Sequence, residues 1–142
     1  MSTTKISMSG KRLSTALYLL LTALLGLGAV ILPVFILPDI RMYESPLFSI
    51  VRTGIEGLNY LSIILLIFSG FIVRLISSKK SWLIGLFTMA SFPILALIEM
   101  VIDPKSHNLF PLEFLMYGFI SVFGIVGAYL GQGIQSVLKK LL

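Results

Sequence analysis

Apolar residues fall into four long blocks, at about 13–37, 54–76, 82–102 and 110–137, separated by short polar stretches. A run of about 18 or more apolar residues can cross the hydrocarbon core as a helix, so each block predicts one membrane span. The first block follows Lys11 and Arg12 and runs from Leu13 to Leu37 before Pro38. A secretory signal also begins basic, but its apolar region is only about 7–15 residues and ends at a small-residue cleavage site. An uncleaved span is therefore expected, with Pro33 kinking or ending the regular helix in its last turns.

Ser45-Pro46 reads as the start of the second helix, serine as N-cap and proline in the first turn. Arg52 and Glu56 then stand one turn apart on one face and are expected to pair at the interface. Glu56 to Arg74 covers 18 residues, about 27 Å of helix and close to one hydrocarbon thickness. Trp82 opens the third span at the depth where tryptophan anchors. Pro93 predicts a kink in it, and Asp103-Pro104 ends it, because proline disfavours helix in the residue before it. The fourth span starts near Asn108 to Pro111, with Asn108 a candidate cap, and closes on Lys139-Lys140. Residues 1–142 thus read as a single transmembrane domain, an all-α integral membrane bundle of four transmembrane helices arranged as two helical hairpins. The two hairpins are faintly alike around Asp-Pro and Pro-Leu pairs, a likeness that the common need of outer loops for proline and polar residues accounts for, with a parallel duplication as the alternative.

Charge adds orientation. The N-terminal tail, the middle turn and the C-terminus carry Lys5, Lys11, Arg12, Arg74, Lys79, Lys80, Lys139 and Lys140 with no acidic residue among them. The other two loops and their flanks carry Arg41, Arg52 and Lys105 with all six acids. The positive-inside rule puts both termini in the cytoplasm and loops 38–45 and 103–110 on the non-cytoplasmic side, as in a bacterial-type cytoplasmic membrane. Four spans also require both termini on one side. The basic residues, divided among three membrane-proximal places, suit anionic lipid heads and not nucleic acid. Charged residues are only 12% of the chain, against about 25% in soluble proteins. With no cysteine, disulfides, thiolate metal sites and CxxC redox chemistry are excluded, and one histidine cannot supply a pair of axial haem ligands. No cofactor is expected.

Candidate chemistry gathers between Glu99 and Glu113, which hold three of the six acids and the only histidine. Glu99 and Asp103 are one turn apart, so both are expected on the same face of span three. Trp82 to Glu99 covers about 25 Å, which leaves Glu99 at the hydrocarbon boundary and in need of a partner. Arg52 could neutralise it across the bundle. His107 is read as wet loop, Asp103 as helix end and Glu113 as an acid favoured at a helix N-terminus. Together Glu99, Asp103, His107 and Glu113 are a weak metal set, without H-E-x-x-H spacing, or a proton or ligand site to which Glu56 and Arg52 belong.

Span four carries Gly118, Ser121, Gly124, Gly127, Ala128 and Gly131, a small-residue stripe for close helix packing. Gln132 and Gln135 would stand at the inner end of a pathway along that stripe. The expected function is a non-enzymatic accessory or assembly subunit packing against other membrane helices, in a homo-oligomer or larger complex within the lipid bilayer. The alternative is a small proton- or ion-coupled transporter acting as an oligomer, and the third is a metal-dependent membrane enzyme with an outer-face carboxylate/His site.

Overall fold

Six helices follow one another: α1 (Thr3–Ile36), α2 (Ser49–Glu56), α3 (Tyr60–Ile76), α4 (Ser81–Phe87), α5 (Ser91–Ile102) and α6 (Phe110–Leu141). This computed structural model describes residues 3–107 and 110–141, with side chains from residue 14 onward, and the described residues contain no strand. Three stretches are long and apolar enough to cross a membrane, Ser14–Ile36, Ser81–Ile102 and Phe110–Leu141. They become four if α2 and α3 count as one bent span. One end of the bundle bears the two acidic loops and the other the turn between α3 and α4 with Lys79 and Lys80; these are called here the acidic and basic ends.

The first helix is longer than expected at its start and less disturbed at its end. It reaches back through the polar tail to Thr3 and runs on through Pro33 to Ile36. Pro33 removes only its own N–H, and the turn beyond it closes normally, with the Leu37 N–H donating to the Pro33 carbonyl at 2.9 Å.

The second block is corrected most. It is not one helix beginning at Ser45-Pro46, because Gly57, Leu58 and Asn59 interrupt it and α2 and α3 meet at 100°. Asn59 is extended and caps α3: its Oδ1 accepts from the N–H groups of Leu61 (3.0 Å) and Ser62 (3.1 Å). Two orphan donors of the new helix start are thereby satisfied, which lowers the cost of a fresh start here. Ser45 does not cap α2; Phe48 holds that position without a side-chain bond.

The third block is interrupted one turn ahead of Pro93, between α4 and α5. Thr88, Met89, Ala90 and Phe92 donate to carbonyls three residues back, those of Gly85, Leu86, Phe87 and Met89. Pro93 offers no N–H to the Met89 carbonyl and crowds it, so the preceding turn tightens.

The long α6 runs between α3 and α4, and α1 covers α3 and α2. Backbones touch along α6. A Cβ on Gly127 would sit 1.9 Å from the Ile67 carbonyl oxygen, and one on Gly70 2.1 Å from that of Gly124. Ser121, Gly124, Gly127, Ala128 and Gly131 are all buried inside this one chain. Gly118 is an exception to the expected stripe: it is exposed, with open space where a Cβ would go. Lipid tails are as apolar as leucine, so this close approach, and not burial from water, drives such packing.

At the basic end Arg74 is only 9% exposed. Its Nε donates to Ser81 Oγ (3.0 Å), and its Nη1 to the Ser77 carbonyl (2.6 Å) and Gln135 Oε1 (2.7 Å). Ser81 in turn donates to Gln132 Oε1. Both glutamines, which the alternative of a pathway would place at its inner end, are engaged in this knot between α3, α4 and α6.

Candidate functional site

On α5 the residues Phe92, Ala96 and Glu99 are buried, at a spacing that turns one face of the helix inward. Two apolar positions thus carry a carboxylate into the acidic end of the bundle, where Glu99 is 3% exposed. The helix stops at Ile102. Asp103 is extended, and its carbonyl accepts from the N–H (3.0 Å) and Oγ (2.7 Å) of Ser106 while its Oδ1 accepts from the Lys105 N–H (3.1 Å). That tight turn sends the chain back beneath the end of α5 and delivers His107 to Glu99.

His107 is buried, at 8% exposure, and both ring nitrogens are engaged. Nε2 lies 2.9 Å from Glu99 Oε2 and Nδ1 lies 2.5 Å from Glu113 Oε2. Glu113 belongs to the first turn of α6, where the helix dipole favours an acid. The other Glu99 oxygen accepts from Ser45 Oγ and from the Leu47 N–H at 3.0 Å. Two loops are therefore tied to two helices through one carboxylate and one imidazole.

Burial works against charge on His107, but the hydrogen bonds and charges of Glu99 and Glu113 outweigh it and raise the imidazole above its ordinary value of 6.5. The imidazolium form donates from both nitrogens, which suits two carboxylate acceptors; a neutral ring has one N–H to give. The three groups then carry one net negative charge, two carboxylates against one imidazolium.

A cavity of about 40 Å³ opens beside this cluster, about 440 Å³ with its mouth, between α2, α5 and α6. Glu99, His107 and Glu113 form part of its wall, as do Arg52, Glu56 and Tyr117. A volume near 40 Å³ holds a few water molecules.

The predicted site residues are thus partly gathered. Glu99, His107 and Glu113 meet directly, and Arg52 and Glu56 share their cavity. Two expectations are corrected. Arg52 forms no ion pair among the described residues, neither with Glu56 nor with Glu99, and His107 is a buried partner, not wet loop. Asp103 stays in its turn, outside the cavity wall, because the helix ends before it can share the Glu99 face. Asn108, the candidate cap of α6, lies outside the described residues.

Sequence reasoning missed Ser45, the Leu47 N–H and Tyr117. Ser45 was assigned to a cap, and its true use depends on a contact 54 positions away. Tyr117 did carry a signal, standing one turn after Glu113 on the same face. As for metal, no group of three His, Cys, Asp or Glu side chains among the described residues is arranged to hold an ion. His107 would have to surrender one of its two hydrogen bonds to ligate. No family model matches the chain, and neither a curated protein nor a solved structure matches it.

Proposed function

We propose that this chain is a non-enzymatic membrane subunit that responds to proton activity at its acidic end, on the non-cytoplasmic face. The observation that carries the reading is His107, held by both ring nitrogens between Glu99 and Glu113. Loss of the extra proton sets a ring lone pair against a carboxylate oxygen and removes one of the two bonds. The latch then loosens, and with it the 103–107 turn and the Ser45–Leu47 segment that Glu99 holds. Buried histidines beside carboxylates are a recurring way to convert pH into a change of packing. Glu99 accepts three hydrogen bonds, which suits a group that holds structure better than one free for acid–base chemistry.

Amide hydrogen exchange in mild detergent tests the latch. Residues 38–48 and 103–107 should be protected at pH 6 and lose protection, after correction for intrinsic rates, by pH 9, while the α3–α6 contact stays protected. Equal protection at both pH values refutes the reading. The orientation has its own check: a reporter fused after Leu142 should score cytoplasmic.

A second reading, proton- or ion-coupled transport by an oligomer, draws on the cavity that gathers Arg52, Glu56 and the latch. It predicts gradient-driven flux in proteoliposomes that E56Q and E99Q abolish while the variants remain folded. Flux no greater than in empty vesicles removes it.

A further inference from the structure

The last helix does not end with the bundle. α6 has 32 residues, about 48 Å of helix against about 40–45 Å for a bilayer with its headgroups. The excess stands at the basic end. Gln132 accepts from Ser81, the neighbour of Trp82, and Gln135 accepts from Arg74. Both glutamines thus lie level with the tryptophan that marks the interface. From Gln132 to Leu141 the helix runs on for nine residues, about 13 Å, roughly twice the depth of the headgroup layer on one side.

This projecting end is two-sided. Leu130, Ile134, Val137 and Leu141 follow at intervals of four, three and four, and at 3.6 residues per turn they fall within about 60° of one another around the helix. Each is at least 45% exposed, and Leu138 flanks them, exposed as well. Gln132, Gln135, Ser136, Lys139 and Lys140 take the other side. The two glutamines tie that side to α3 and α4, which leaves the apolar side uncovered among the described residues. Within hydrocarbon such a stripe meets lipid tails. Val137 and Leu141, however, lie roughly 7 and 13 Å beyond Gln132, past the reach of the tails. Apolar side chains at that height face water unless protein covers them.

We propose that this stripe is the seam of a parallel homodimer, in which the projecting ends of two α6 helices pack against each other at the basic end. Two copies inserted in one membrane share an orientation, so a two-fold axis along the bilayer normal sets the same four residues opposite themselves. A second copy is therefore the partner that presents an apolar stripe of equal length at equal height. Alternating steps of four and three residues keep two helices in register when they cross at about 20°. No charged side chain falls in the seam. Lys139 stands on the far side of the helix, and Lys140 lies at the flank, where its ammonium reaches water. The buried small residues of α6 already serve α3 and α4 within the chain, and the dimer does not call on them. Nothing in the seam belongs to the latch at the acidic end, so either proposal can fail without the other.

The chain has no cysteine, so single-cysteine variants of the full chain report the seam without background. Under mild oxidation in membranes, V137C and L141C should form disulfide-linked dimers about tenfold faster than S136C, because facing seam positions come within the Cα separation of about 4.4–6.8 Å that a disulfide needs. In mild detergent, light scattering should give a dimer whose dissociation V137E moves to at least about tenfold higher concentration, while S136E leaves it in place. Val137, Leu141 and Ser136 are all exposed, so helix content should be unchanged in every variant. Equal cross-linking rates at Val137 and Ser136, or a wild-type chain that is monomeric at every concentration, overturns the proposal. Lipid or the N-terminal turns of α1 in the same chain would then cover the stripe.

Discussion

Replacing His107 by leucine keeps most of the side-chain bulk and removes both of its hydrogen bonds, at 2.9 Å to Glu99 and 2.5 Å to Glu113. The two carboxylates do not suffer equally. Glu113 is 24% exposed along its side chain and can turn to water, but Glu99, at 4%, has only Ser45 and the Leu47 N–H left. Breaking a buried charged pair by deleting one partner costs about 3–5 kcal/mol. The two remaining donors on Glu99 offset part of this, so H107L should destabilise the protein by about 2–4 kcal/mol at pH 6.

The pH dependence gives this cost a signature. Although burial opposes its charge, His107 titrates above its ordinary 6.5 because of the two carboxylates. A group whose pKa is raised on folding contributes stability that is fully present below the unfolded value and is lost as pH rises through the folded one. The gap between wild type and H107L should therefore be widest near pH 6 and narrow steadily above it. Denaturant melts in mild detergent, followed by circular dichroism and by Trp82 fluorescence, measure the gap at pH 6 and pH 9. The chain has one histidine, so a single imidazole resonance reports its titration directly by NMR, and E99Q should move that titration downward. A gap that is the same at both pH values, or a wild-type imidazole titrating below 6.5, refutes the reasoning.

Two further expectations concern the packing that holds the latch in place. G127A puts a methyl group 1.9 Å from the Ile67 carbonyl oxygen, a backbone atom, and should cost about 1–3 kcal/mol in the same melts; G133A meets open space and should be neutral or stabilise by up to about 1 kcal/mol. R74M keeps the volume but leaves Ser81, Gln135 and the Ser77 carbonyl without their donor, a loss of about 2 kcal/mol, whereas K80A at an exposed position should stay within about 0.5 kcal/mol of wild type.

The amino-acid sequence by itself determined that this is an all-helical chain with several helices fit to cross a membrane. Apolar runs of that length have few other stable states, since in lipid each backbone polar group must be satisfied within its own helix. Local signals also carried the stop at Asp103-Pro104, a disturbance of the helix beside Pro93 and the acid in the first turn of α6. Each of these depends on neighbours within about one turn.

Only the tertiary structure decided the rest, because it depends on contacts between distant segments. The α2–α3 break is the borderline case: Asn59 is a legible cap, but apolar residues on both sides favoured reading through it. The small residues of α6 were legible as a packing stripe, yet not that α3 and α4 of the same chain would occupy it. The partner of Glu99 was furthest from reach. An apolar face can be read from spacing, but a buried carboxylate takes whichever donors the fold brings within about 3 Å. Here those came from His107 at the end of a tight turn, and from Ser45 and Leu47 more than 50 positions away.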